Sequence, residues 1–131
     1  MKFIFWAMAS HGSGLSGGDR IYIEFSKRWS KEYPVTIVTW EEGIAMMHRN
    51  RLFSSSNILF LQLFVPKTPF IINYFLRIII SIFKSLTFTP ADPANTYVYS
   101  ASEFWMDSLP CIILKLRYPR LRWIASWYQT A

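Results

Sequence analysis

Cysteine is all but missing from this chain. Cys111 stands alone, which excludes an internal disulfide and any multi-cysteine metal centre. It lies in the apolar run "PCIIL", where it reads as a small buried hydrophobe rather than a catalytic thiol. Histidine is nearly as scarce: His11 and His48 have no companions at ligand spacing, so no metal site is expected. Acidic residues are absent between Glu42 and Asp92, a stretch that holds Arg49, Arg51, Lys67, Arg77 and Lys84. The 131 residues carry a formal charge of +6, which favours an anionic partner: phosphate, nucleic acid or an acidic membrane surface. Internal repeats and low-complexity linkers are absent, and the length suits one core rather than two, so residues 1–131 read as a single domain. Aromatic residues make up 18% of the chain, but they sit inside strand and helix patterns. They do not alternate with a basic stripe, which argues against nucleic acid.

What is present is an alternation of short apolar runs with longer helical patterns. Residues 2–9 read as a buried strand whose apolar residues from Phe3 on are continuous rather than alternating, as in parallel strands covered on both faces. The start "MKFIFWAMAS" imitates a short signal peptide, yet it runs straight into a glycine turn and an amphipathic helix; it reads as a first buried strand of a cytoplasmic protein. A helix is predicted over 16–31, with Ser16 and Asp19 spaced as a capping box and Ile21, Tyr22, Phe25 and Trp29 on one face. Pro34 ends it, and "VTIVTW" is a β-branched second strand. Residues 41–56 read as irregular and polar, "ILFLQLFV" as the third strand, and 69–86 as a long apolar helix. After a proline-rich turn come a strand in "TYVYS", a helix over 103–117 despite Pro110, and a strand over 122–127. Repeated strand–helix–strand units imply an α/β fold: a Rossmann-like, doubly wound, mainly parallel sheet flanked by helices. Ligands in such folds bind outside the carboxyl ends of the strands. That rim would comprise residues 10–18, 40–43, 101–105 and 127–130, with Ser102, Glu103 and Tyr128 as candidate contacts.

Glycine is rare and unevenly placed: four of the five fall between Gly12 and Gly18. Gly12, Gly14 and Gly17 match the Gly-x-Gly-x-x-Gly spacing of NAD(P)- or FAD-binding loops, and Glu41 or Glu42 follows the second strand where a ribose-binding carboxylate would sit. Two local features disagree. Ser10-His11 separates the strand from Gly12, and bulky Arg20-Ile21-Tyr22 replaces the small residues that open such helices. A turn needs only one glycine, so four in seven positions point to close approach by a ligand.

Gly17-Gly18-Asp19-Arg20-Ile21, followed by "EFSKRWSKEYPVTIVTW", resembles the opening of glycosyltransferase family 4 N-terminal domains. The segment "YSASEFWMDSLPCIILKLRYPRLRWIASWYQTA" is similar to a later part of those domains, and residues 41–92 are the least alike. The resemblance implies the N-terminal half of a GT-B architecture, holding mainly the acceptor (a glycan or a lipid-linked one) of a retaining enzyme. A C-terminal domain would hold most of the nucleotide-sugar donor, so this chain would lack that half and be inactive alone. It implies no catalytic base and no cofactor here. Gly17 and Gly18 would approach the donor across the cleft, with Ser16 and Arg20 beside them and His11 on the first loop. Relatives often carry a histidine soon after the last strand, where this chain has Tyr128 and Gln129.

The run "FIINYFLRIIISIFKSLTF", residues 70–88, is long enough to span a bilayer. Its apolar residues contribute roughly −4 to −7 kcal/mol, and Arg77 with Lys84 cost about 5–7 kcal/mol near the centre, so the sum is close to zero. Asn73, Arg77, Ser81 and Lys84 recur at helical spacing, leaving an amphipathic helix that either packs on the sheet or lies on a membrane.

Overall fold

The computed structural model describes residues 1–12 and 17–126. Five strands and four helices alternate: β1 (Lys2–Trp6), α1 (Gly17–Trp29), β2 (Val35–Thr39), α2 (Glu41–Arg49), β3 (Ile58–Gln62), α3 (Phe70–Thr87), β4 (Thr96–Ser100), α4 (Trp105–Arg117) and β5 (Arg122–Ala125). The sheet order is β3-β2-β1-β4-β5, and every neighbouring pair is parallel. This is the expected Rossmann-like, doubly wound α/β fold. β1 is central, with Phe5 opposite Ile37 of β2 and Tyr99 of β4.

Alternation along β1 divides the core in two. Phe3, Phe5 and Ala7 pack with Tyr22, Ile23 and Met47 beneath α1 and α2. Ile4, Trp6 and Met8 pack with Ile78, Met106, Cys111 and Leu114 beneath α3 and α4. Cys111 is fully enclosed, and burial pushes its thiol well above the ordinary range, which leaves it chemically quiet. In α1 the inward residues are Tyr22, Ile23 and Ser26, whereas Ile21, expected on that face, is exposed.

One expectation fails. Residues 41–49 are helical rather than irregular. Glu41 and Glu42 occupy the first turn of α2 and His48 and Arg49 the last, matching the helix dipole, while Met46 and Met47 are buried. Gly43 is required where α2 passes Thr39, because a Cβ there would overlap the Thr39 hydroxyl. Thr39 is fully buried and donates to the Ala7 carbonyl at 2.7 Å, so it has no room to retreat. Gly43→Ala is expected to cost ~1–3 kcal/mol despite alanine's higher helix propensity, read as a lower urea midpoint at unchanged slope.

The direction of α3, left open by its pattern, follows from its packing. Its polar stripe turns inward: Asn73, Arg77, Ser81 and Ser85 are buried with Ile78. Phe70, Ile71, Phe75, Ile79, Phe83 and Leu86 face outward, each about half exposed or more. Lys84, expected in the polar stripe, is displaced from it and half-buried. Small Ser81 and Ser85 side chains fit the close packing of α3 along α4, whose carboxyl ends meet where Arg117 donates to the Ser85 and Phe88 carbonyls. Among the described residues, α3 is the one helix long and apolar enough to cross a membrane.

Candidate functional site at the carboxyl rim

The chain leaves β1 at Trp6 and turns away from the sheet, so the backbone groups that follow lose their ladder partners and need others. Side chains of β2, α2, α3 and α4, together with Trp40, supply most of them. The Ala7 carbonyl accepts from Thr39, and its amide donates to the Val38 carbonyl at 2.8 Å. The Met8 and Ala9 amides donate to Asp107 Oδ1 of α4 at 2.6 and 3.2 Å. The Met8 carbonyl accepts from Arg77 of α3 at 2.9 Å, and the Ser10 carbonyl accepts from the Trp40 indole at 2.7 Å. The Ser10 hydroxyl donates to Asp19 Oδ1 at 2.9 Å and lies 3.0 Å from the Tyr22 hydroxyl. Gly12 donates to Glu42 Oε2 at 2.7 Å and accepts from Arg49 at 3.0 Å. Gly12 is also where glycine's conformational freedom is used, at φ +74°. Residues 7–12 are thus fixed before any ligand arrives, as binding loops on rigid scaffolds are.

On the side of this loop facing α3 lies a cavity of about 470 Å³, lined by His11, Trp40, Glu41, Glu42, Lys67 and Asn73 among others. That volume falls in the ordinary range for small-molecule sites. His11 donates from Nδ1 to Glu42 Oε2 at 2.8 Å and stacks over Trp40 with planes 3° apart. The carboxylate thereby fixes the orientation of the ring. Asn73 is 6% exposed and its Oδ1 has no hydrogen-bond partner among the described residues. A ligand O–H or N–H reaching it would satisfy a buried acceptor that otherwise costs stability. Arg77 lies behind this wall, its guanidinium carbon 4.7 Å from the Trp40 ring centroid. Burial pulls Arg77 below its ordinary value, and the Asp107 and Glu42 carboxylates oppose that pull.

Asp107 is fully buried, and burial pushes its carboxyl up to about 7 against the Ser102 hydroxyl and the Met8 and Ala9 amides. Its two oxygens join the loop after β1 to the loop after β4, where the sheet order changes direction. Ser102, expected to touch substrate, spends its hydroxyl on Asp107 Oδ2 at 2.7 Å and accepts from the Phe104 amide. It therefore serves the loop geometry. Glu103 is half-buried on the same loop. Gly17 opens α1 in exposed surroundings where a Cβ would meet nothing within 4 Å, so packing does not demand glycine there. Arg20 is exposed one turn on. Gly14, Ser16 and Tyr128 lie outside the described residues. The structure thus joins His11 to a cavity with Glu42 and Trp40, and separates that cavity from Ser102 and Glu103. Lys67, Asn73, Arg77 and Asp107 are additions to the expected site. Asp107 leaves one signal in the sequence: it is the lone acid in the apolar helix "WMDSLPCIIL".

Among the described residues no group of three histidine, cysteine or carboxylate side chains is placed to hold a metal. No family model matches the chain, and no curated protein and no solved structure matches it either.

Proposed function

We propose that this domain is the acceptor-side half of a retaining, nucleotide-sugar-dependent glycosyltransferase acting in glycan or polysaccharide synthesis. The observation that carries the reading is the rim cavity, where stacked His11 and Trp40 lie beside Glu41, Glu42, Lys67 and the buried Asn73 acceptor. An aromatic wall with clustered carboxylate and amide oxygens suits a sugar ring, whose C–H faces stack and whose hydroxyls donate and accept. The doubly wound sheet and the open amino end of α1 at Gly17 support the same resemblance, with the donor diphosphate approaching Gly17, Gly18 and Arg20 from a second domain. Of the two carboxylates that could take a dinucleotide's ribose hydroxyls, Glu42 already holds His11 and the Gly12 amide, which leaves Glu41 for that role. The reading places the domain in the cytoplasm, where a single free cysteine is ordinary.

Nuclear magnetic resonance of the labelled chain tests this. Octyl glycosides of hexoses and N-acetylhexosamines are expected to shift the Trp40 indole and His11 ring signals. UDP and GDP are expected to perturb α1 near Gly17 more than the cavity. Asn73→Ala is expected to weaken the glycoside response by roughly 3–30-fold, the loss of one or two hydrogen bonds. If NADH shifts both regions and none of the sugars shifts the cavity signals, the glycosyltransferase reading is wrong.

A further inference from the structure

The α3 helix departs from the usual core helix of a water-soluble domain: it buries Asn73, Arg77, Ser81 and Ser85 beside Ile78, and leaves a row of large apolar side chains outside. Of the fifteen large hydrophobic side chains exposed among the described residues, seven lie on α3, so apolar exposure is concentrated there rather than scattered. Ile71, Phe75, Ile79, Phe83 and Leu86 form a stripe, following one another at three- and four-residue steps along a helix of about 27 Å. On α3 and α4 themselves the exposed charge is one-signed, although Glu41 and Glu42 line the rim cavity beside Lys67. On α3 and α4 the sole acidic residue is Asp107, which is buried, whereas Lys67, Lys84 and Lys115 are placed on or beside these helices. Next to the carboxyl end of α3 runs a second cavity of about 410 Å³, with Leu59, Leu61 and Phe88 as apolar walls and Lys2 and Lys84 among its lining. An apolar trough with ammonium groups in its wall has the chemistry of an acyl chain beneath an anionic headgroup.

We propose that the outward face of α3 rests on an anionic phospholipid surface, with Phe75, Ile79 and Phe83 in the acyl boundary and Lys67 and Lys84 at headgroup level. The helix lies on the bilayer rather than crossing it. Its inward stripe is committed to its own domain, where Arg77 holds the Met8 carbonyl, and a crossing helix would have to carry that guanidinium into lipid. A second copy of the chain is the poorer occupant, since two such faces would bring their lysines together.

Sedimentation of the whole chain with vesicles tests this without sugar or nucleotide. Binding is expected to phosphatidylcholine vesicles containing phosphatidylglycerol, and to weaken with salt. Phe75→Asp with Ile79→Asp is expected to reduce it more than ~10-fold. Lys67→Gln and Lys84→Gln are each expected to reduce it about fivefold. Phe75 and Ile79 are 54% and 48% exposed, so the fold should survive, with an unchanged far-ultraviolet spectrum. The proposal is overturned if the parent ignores anionic vesicles at low salt. It is equally overturned if the aspartate pair binds as well as the parent, or if that pair only dissolves a dimer.

Discussion

Asp107→Ala is expected to lower stability by ~3–5 kcal/mol, a fall in Tm of roughly 10–20 °C. The cost arises because Met8 and Ala9 would keep buried amides with no acceptor, and the Ser102 hydroxyl would lose its partner. Asp107→Asn separates geometry from charge. Its amide oxygen can still accept from Met8 and Ala9, and its NH2 group can donate to Ser102. The two forms differ most in their response to pH. Burial raises the Asp107 carboxyl from 3.8 to about 7 in the folded chain. The folded state therefore holds this proton more tightly than the unfolded state does. Its contribution favours folding below 3.8 and is lost as the pH rises towards 7. Urea unfolding between pH 4 and pH 7 should show that decline in the parent and a flatter profile in Asp107→Asn. Matching profiles would remove the buried carboxyl from the account, and a stable alanine variant would remove the clamp.

The strands are readable because parallel strands covered on both faces need continuous apolar runs, and "KFIFW", "VTIVT" and "TYVYS" supply them. Element ends are less readable. β3 stops at Gln62 although apolar residues continue to Val65, since pairing with β2 ends while Val65 turns to the other core. α2 escapes the periodicity because nine residues with only Ile44, Met46 and Met47 as large apolar side chains carry a weak period. Its dipole-matched ends are the stronger signal. For α3 the period is legible but its direction is not. A hydrophobic pattern says that a helix has two faces, and only the partner decides which one turns inward.

The site divides in the same way. His11 is identifiable because it follows a buried strand in a glycine loop, a purely local feature. Its neighbours Glu42 and Trp40 are visible as rim residues, but their bonds to the loop are not. Arg77 and Asp107 answer a demand that no window of sequence displays. They cap the two backbone groups of Met8, 69 and 99 residues away along the chain. An arginine in a long apolar helix and an aspartate in an apolar amphipathic one read separately as surface charge. Brought to one strand end, they complete the backbone bonding that the sheet no longer provides.

Arg77→Ala should also be severe, ~3 kcal/mol or more, and its size decides which way α3 faces. Arg77 is 2% exposed, donates to the Met8 carbonyl and stacks over Trp40. Alanine would leave that carbonyl unpaired, open a void beside the indole and free the carboxyl end of β1. Arg77→Met keeps the volume and removes a costly buried charge, so its loss should be smaller, ~1–2 kcal/mol. The methionine variant carries a second readout. The guanidinium attracts the Asp107 carboxylate, so its removal should push the Asp107 transition to higher pH and extend the stability decline in that direction. Were α3 instead to bury its isoleucines and phenylalanines, Arg77 would stand in water. Both substitutions would then fall within about 0.5 kcal/mol of the parent, the usual range for surface positions, and the pH profile would not move. That outcome would also take away the exposed apolar stripe on which the lipid contact rests, whereas a large alanine loss with a displaced Asp107 transition ties loop, helix and outward face to one arrangement.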